Sequence, residues 1–195
     1  HKVTPSARGE VQVKNRNYSV FIRQPSYDKV ERGDSMSLRG VSFEIPNEPG
    51  RVLIDILSAI EMKEYDWFLR NFDFPIQTMD GELYDSLEEF SVDQNVTGRE
   101  LAKWLRGPSN YLIFAELFAF QSGQTEEVGM TYEWFQESKC HIAMLIYDCT
   151  YVDIYCKEQH VSEAFYENAV KRGYSGIKWV TDDNDPRTRL SVWSE

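Results

Sequence analysis

At 195 residues, with 42% hydrophobic and 27% charged side chains, the chain is long enough for one domain with a real core. Its formal net charge of −11 argues against direct binding of nucleic-acid phosphates or an anionic membrane surface, because like charges repel. The longest apolar run, "YLIFAELFAF" at 111–120, falls well short of the about 20 apolar residues a membrane-spanning helix needs, and the N-terminus has no apolar leader stretch.

The charge is unevenly placed. Residues 1–35 hold seven Lys or Arg and four Asp or Glu; the other 160 hold 14 against 28, a net of −14. The chain therefore divides into a basic N-terminal segment, 1–35, and a single acidic α+β domain, 36–195. The first is either an appended or upstream sequence ahead of a native start at Met36, or a native arm that adds a strand. It holds one strand-like run, Tyr18 to Ile22.

From residue 39 the pattern is orderly. Val41, Phe43 and Ile45 alternate with Ser42 and Glu44, the period of a half-buried strand, and Pro46 stops it. Asn47 then caps a helix expected at about 48–61, with Val52, Leu53, Ile56, Leu57 and Ile60 as its apolar stripe. A short strand is expected at Tyr65 to Leu69. Thr97-Gly98-Arg99-Glu100 is a capping box opening a helix at about 98–106, which Gly107-Pro108 ends. Residues 110–120 read as a buried strand, and "TYEWFQES" as one or two helical turns.

"HIAMLIY" and "YVDIYCK" are joined tightly at Asp148-Cys149-Thr150 and predict a hairpin. Val161, Ala164, Phe165 and Ala169 predict a helix at about 160–172, ending at Gly173 as a left-handed cap. "GIKWVT" and "TRLSVW" predict a second strand pair. Between them, Asp182-Asp183-Asn184-Asp185-Pro186 reads as a turn; a calcium loop would need a central Gly and a distant Glu, which are missing. The expected fold is α+β, a mostly antiparallel sheet with helices packed on one face.

"RGVSFEIPNEPG" (39–50) and "YSGIKWVTDDNDPRTRLSVW" (174–193) resemble the two ends of a Bacillus-type bacterial protein family, catalogued as domain of unknown function two-six-nine-one. The resemblance spans about 39–193. It implies a native start near Met36 and a cytoplasmic bacterial protein, and it carries no activity, cofactor or catalytic residue.

Three cysteines, Cys140, Cys149 and Cys156, suit a reducing compartment better than a disulfide framework, so a cytoplasmic location is expected. With His141 and His160 they lie close in sequence, but no pair has zinc-ligand spacing, and neighbours Cys140 and His141 point to opposite faces of a strand. No phosphate-binding glycine motif is present. No metal, cofactor or catalytic residue is expected, and the chain reads as a binding protein rather than an enzyme.

Two candidate sites remain. The segment 61–93 carries ten acids and two bases, a net of −8, interleaved with Tyr65, Trp67, Phe68, Phe72, Phe74, Tyr84 and Phe90. Carboxylates steer basic partners and rings supply contact area, so Asp80, Glu82, Asp85, Glu88 and Glu89 are the expected partner-binding residues, for a basic protein in the manner of an immunity protein, antitoxin or nucleic-acid mimic. The alternative is a small-molecule or enzymatic site on the strand face that Tyr151, Asp153 and Tyr155 share, with Tyr147 joining across the hairpin. The plainer reading of that face is an ordinary solvated one.

Overall fold

The structure, a computed structural model, describes residues 10–15, 18–23, 37–84 and 93–193. The chain falls into two compact units, His1–Ser35 and Met36–Glu195. In the first, β1 (Glu10–Asn15) pairs antiparallel with β2 (Tyr18–Arg23). The alternation of "EVQVKN" was a second strand signal beside the expected Tyr18 run.

The second unit is built on a seven-stranded antiparallel sheet. Its strands are β3 (Leu38–Glu44), β4 (Tyr65–Asp73), β7 (Gln94–Thr97), β8 (Phe114–Gln121), β9 (Cys140–Tyr147), β10 (Tyr151–Cys156) and β11 (Ser175–Thr181). Across the sheet they run β11-β3-β10-β9-β8-β4-β7, and every pairing is antiparallel. Two short strands, β5 (Ile76–Gln77) and β6 (Leu83–Tyr84), pair apart from it. The fold is α+β, as expected: a large antiparallel sheet with helices packed against it.

Successive side chains on a strand point to opposite faces, and this sheet buries both. The first face carries Val41, Phe43, Trp67, Leu117, Met144 and Ile154, and it is covered by α1 (Val52–Leu57), α2 (Gly98–Leu105) and α4 (Gln159–Arg172). Their buried stripes, Leu53/Ile56/Leu57, Leu101/Leu105 and Val161/Phe165/Ala169, are the periodicities read from the sequence. The capping box forms: Thr97 accepts from the Glu100 amide, and Glu100 accepts from the Thr97 amide. Gly173 ends α4 with a φ of 74°, a conformation only glycine adopts without strain.

The second face carries Phe118, Phe120, Leu145 and Tyr155. It is covered by α3 (Tyr132–Glu137), through Phe135, and by the C-terminal stretch, through Leu190. Gly40 lies where β3 crosses β10 so closely that a Cβ would fall 1.8 Å from the Ile154 carbonyl oxygen.

Two expectations are corrected. The helix expected from 48 begins at Val52, and Asn47 does not cap it. The Gly50 amide donates to the Asn110 carbonyl at 2.8 Å and the Asn110 amide returns the bond at 2.9 Å, which holds the backbone extended there. Asn47 instead accepts the Tyr111 hydroxyl. The second correction is that "TRLSVW" is not a strand beside "GIKWVT". β11 pairs with β3, and the chain from 182 runs as a strap over the second face, with one isolated bridge from Arg189 to Thr131.

Candidate functional site

The strap explains the tyrosine cluster. On β10, Tyr151, Asp153 and Tyr155 share the second face, and the hairpin register sets Tyr147 opposite Tyr151. The hairpin turns through Asp148 and Cys149, both at positive φ. Tyr147 donates its hydroxyl to Asp153 Oδ2 at 2.9 Å, and the Tyr147 and Tyr151 rings lie 5.5 Å apart at 29°. The four residues predicted to sit together do so.

That face is not the ordinary solvated one of the plainer reading. Asp153 is 8% exposed and Tyr155 1%. Arg187 of the strap reaches Asp153 at 3.0 Å and donates to the Tyr147 hydroxyl at 3.3 Å, with its guanidinium 5.4 Å from the Tyr147 ring. Tyr155 donates to Asp185 at 2.8 Å. Arg39, at the start of β3, pairs with Asp182 at 2.6 Å and Asp185 at 3.6 Å and lies 4.2 Å over the Tyr132 ring.

Burial, the largest influence, raises the pKa of both Tyr147 and Tyr155, because a phenolate is poorly solvated there. For Arg187 burial opposes the charge, but Tyr155, Asp153 and Tyr147 outweigh it and the guanidinium stays charged. The row 182–185 is the expected turn, and the side chains of Asp182, Asn184 and Asp185 have structural partners. Asn184 accepts from the Thr181 amide and donates to the Trp179 carbonyl, both at 2.9 Å, on the outer edge of β11.

Glu116 is the single charged residue in the apolar run at 111–120. It is a buried hub. Glu116 is fully enclosed at the centre of β8, where Arg70 of β4 donates to one carboxylate oxygen. The other oxygen accepts from Asn71 at 3.0 Å, from the Ser191 hydroxyl at 2.8 Å and from the Val192 amide at 2.8 Å. Arg70 also donates to the Leu190 carbonyl at 3.1 Å and lies 4.8 Å over the Phe118 ring. A buried carboxylate persists only when its lone pairs are filled, and the strap fills them. The available signal was a charged residue inside each of two buried strands, "FAELF" and "FLRNF".

The acidic segment divides. Asp80 and Glu82 are exposed, and the Thr78 hydroxyl holds the Asp80 carboxyl below the usual range. Asp85, Glu88 and Glu89 lie outside the described residues. Of the interleaved rings, Trp67, Phe72 and Phe74 are buried in the first-face core and offer no contact surface, which corrects the expectation for those three; Tyr65 and Phe68 are half-buried. Asp93, at the segment's end, lines a groove of about 350 Å³ with Glu126 and Glu127, over Phe68 and Val128.

Two of the three thiols, Cys140 and Cys156, are buried. Burial raises the Cys140 pKa strongly and pushes Cys156 up to about 12. Cys140 packs on the second face, whereas His141 bonds Glu158 of the segment leading into α4 at 2.9 Å, so the two do point apart. Among the described residues, no three His, Cys, Asp or Glu side chains gather as metal ligands would, and no helix is long and apolar enough to cross a membrane.

Fold and site define an α+β protein whose buried charges tie the strap down onto its own sheet. The chain belongs to the family described as "Protein of unknown function (DUF2691)", which matches residues 38–191. It is similar to the "Uncharacterized protein YncE" of Bacillus subtilis (strain 168), being 39% identical over 154 residues that cover 79% of this chain and 99% of the relative. No solved structure matches. The resemblance read from the two end motifs is thereby established, and residues 1–35 lie outside it.

Proposed function

We propose that the acidic unit is a non-catalytic binding or inhibitory module for a basic protein. One observation carries the reading: residues 36–195 hold 28 acids against 14 bases. The buried charges Arg70, Glu116, Asp153 and Arg187 are matched within the fold, so the excess is left to the surface. Asp80 and Glu82 are exposed, and three carboxylates line the groove that Asp93 shares. Such a field attracts a cationic surface and speeds its encounter. Against the small-molecule alternative, the polar groups of Tyr147, Asp153 and Tyr155 are already bonded to one another, to Arg187 or to Asp185.

The test is association with a synthetic Lys/Arg peptide at low and high salt, for wild type and for a variant with Asp80, Glu82, Asp85, Glu88 and Glu89 changed to Lys. The variant is expected to keep its fold and to associate far more slowly. A control with Glu133 and Glu137 on α3 changed to Lys should bind nearly as wild type. Binding that ignores salt, or equal losses in both variants, would overturn the acidic segment as the binding face.

A further inference from the structure

The second face repeats one arrangement three times: an aromatic ring, a guanidinium over it, and a carboxylate fixing that guanidinium. Arg39 sits on Tyr132 and pairs with Asp182 and Asp185. Arg70 sits on Phe118 and pairs with Glu116. Arg187 sits on Tyr147 and pairs with Asp153. A fourth set has the ring and the carboxylate without the cation. Tyr151 and Glu44 are directly opposed across β10 and β3, on the same face. Tyr151 is 44% exposed, the most open ring of the tyrosine cluster. Glu44 takes the Ser175 hydroxyl at 3.1 Å, and among the described residues no cation lies within ion-pair distance of it. The exposed Asp148 in the hairpin turn adds negative charge at the same end of the sheet.

We propose that Tyr151 and Glu44 are the docking point for an arginine side chain of the basic partner. The inference rests on the reading of the unit as a module for a basic protein and locates one contact of that interface. Arginine is specified over lysine. A planar guanidinium can lie flat on the ring while its edge forks to the carboxylate, whereas an ammonium is a compact, strongly hydrated point charge. The site lies on a rigid cross-strand pair, so little ordering accompanies binding.

The experiment compares an oligo-arginine and an oligo-lysine peptide of equal length and charge, by fluorescence anisotropy at low salt. Wild type should prefer the arginine peptide by roughly threefold to tenfold, the range of an exposed cation–ring contact with a surface ion pair. Tyr151→Ser and Glu44→Gln should each lose most of the preference, read as the ratio of the two peptides' affinities for each variant. Should Tyr151→Ser melt, Tyr151→Leu keeps the apolar volume without the ring. Equal affinities in wild type, or a preference surviving in both variants, would overturn the arginine site and leave the basic-partner reading standing. Failure of both peptides to bind would overturn both.

Discussion

Glu116 shows what one buried carboxylate can organise. It lies at the middle of β8, it is tied to β4 through Arg70, and it draws in the backbone at Val192. Removing one member of such a pair leaves the other charge buried without a counterion, which typically costs about 3–5 kcal/mol. Glu116→Leu should therefore strongly destabilise the unit in urea titration. Arg70→Met added to it should recover much of the loss, because two apolar groups can replace a buried pair at little net cost. A double variant no more stable than Glu116→Leu would show that Arg70 is not what the carboxylate neutralises. The pair was only half legible in the sequence. A charge within an apolar strand is conspicuous, but its partners lie 46 and 75 positions away for Arg70 and Ser191, and no local pattern marks them.

At the scale of elements, legibility followed locality. The hairpin of β9 and β10, the capping box of α2 and the glycine end of α4 are each fixed by neighbours within a few residues, and each formed as read. The start of α1 and the strap were misread because a distant backbone pairing at Asn110 and the Glu116 hub override local preference. For the capping box the prediction is direct. Thr97→Ala removes the acceptor for the Glu100 amide and should lower stability by about 1 kcal/mol, read as a shifted urea midpoint with an unchanged slope. Asn184 acts at the same scale on β11. By occupying the Trp179 carbonyl and the Thr181 amide it shortens the open edge on which another chain could pair.

Across the whole molecule, the tyrosines link stability to pH. Tyr147, Tyr155 and Tyr174 all have pKa values raised above the usual 10, chiefly by burial, with Tyr174 near 12. A group whose folded pKa is raised holds its proton more tightly when folded. Its contribution is complete below the ordinary pKa and fades as pH climbs through the folded value. The urea midpoint should thus fall between pH 10 and 12, with tyrosinate absorbance appearing together with unfolding. A midpoint flat across that window would show that the rings ionise in place. Charge belongs to this scale too. The acids that give the unit its field were plain in the sequence, while their division between exposed and bonded groups needed the sheet.

The strap also dictates the order in which the molecule can be finished. During synthesis Arg70 and Glu116 leave the ribosome long before Ser191 and Val192, so a nascent chain carries a half-filled carboxylate at the middle of its sheet. Domains that fold from the N-terminus onward can assemble the first face with α1 and α2 early. The second face waits for residues 190–193, like a box whose latch is made well after its walls. Any fusion that hinders residues 190–193 from lying down therefore acts on the centre of the fold.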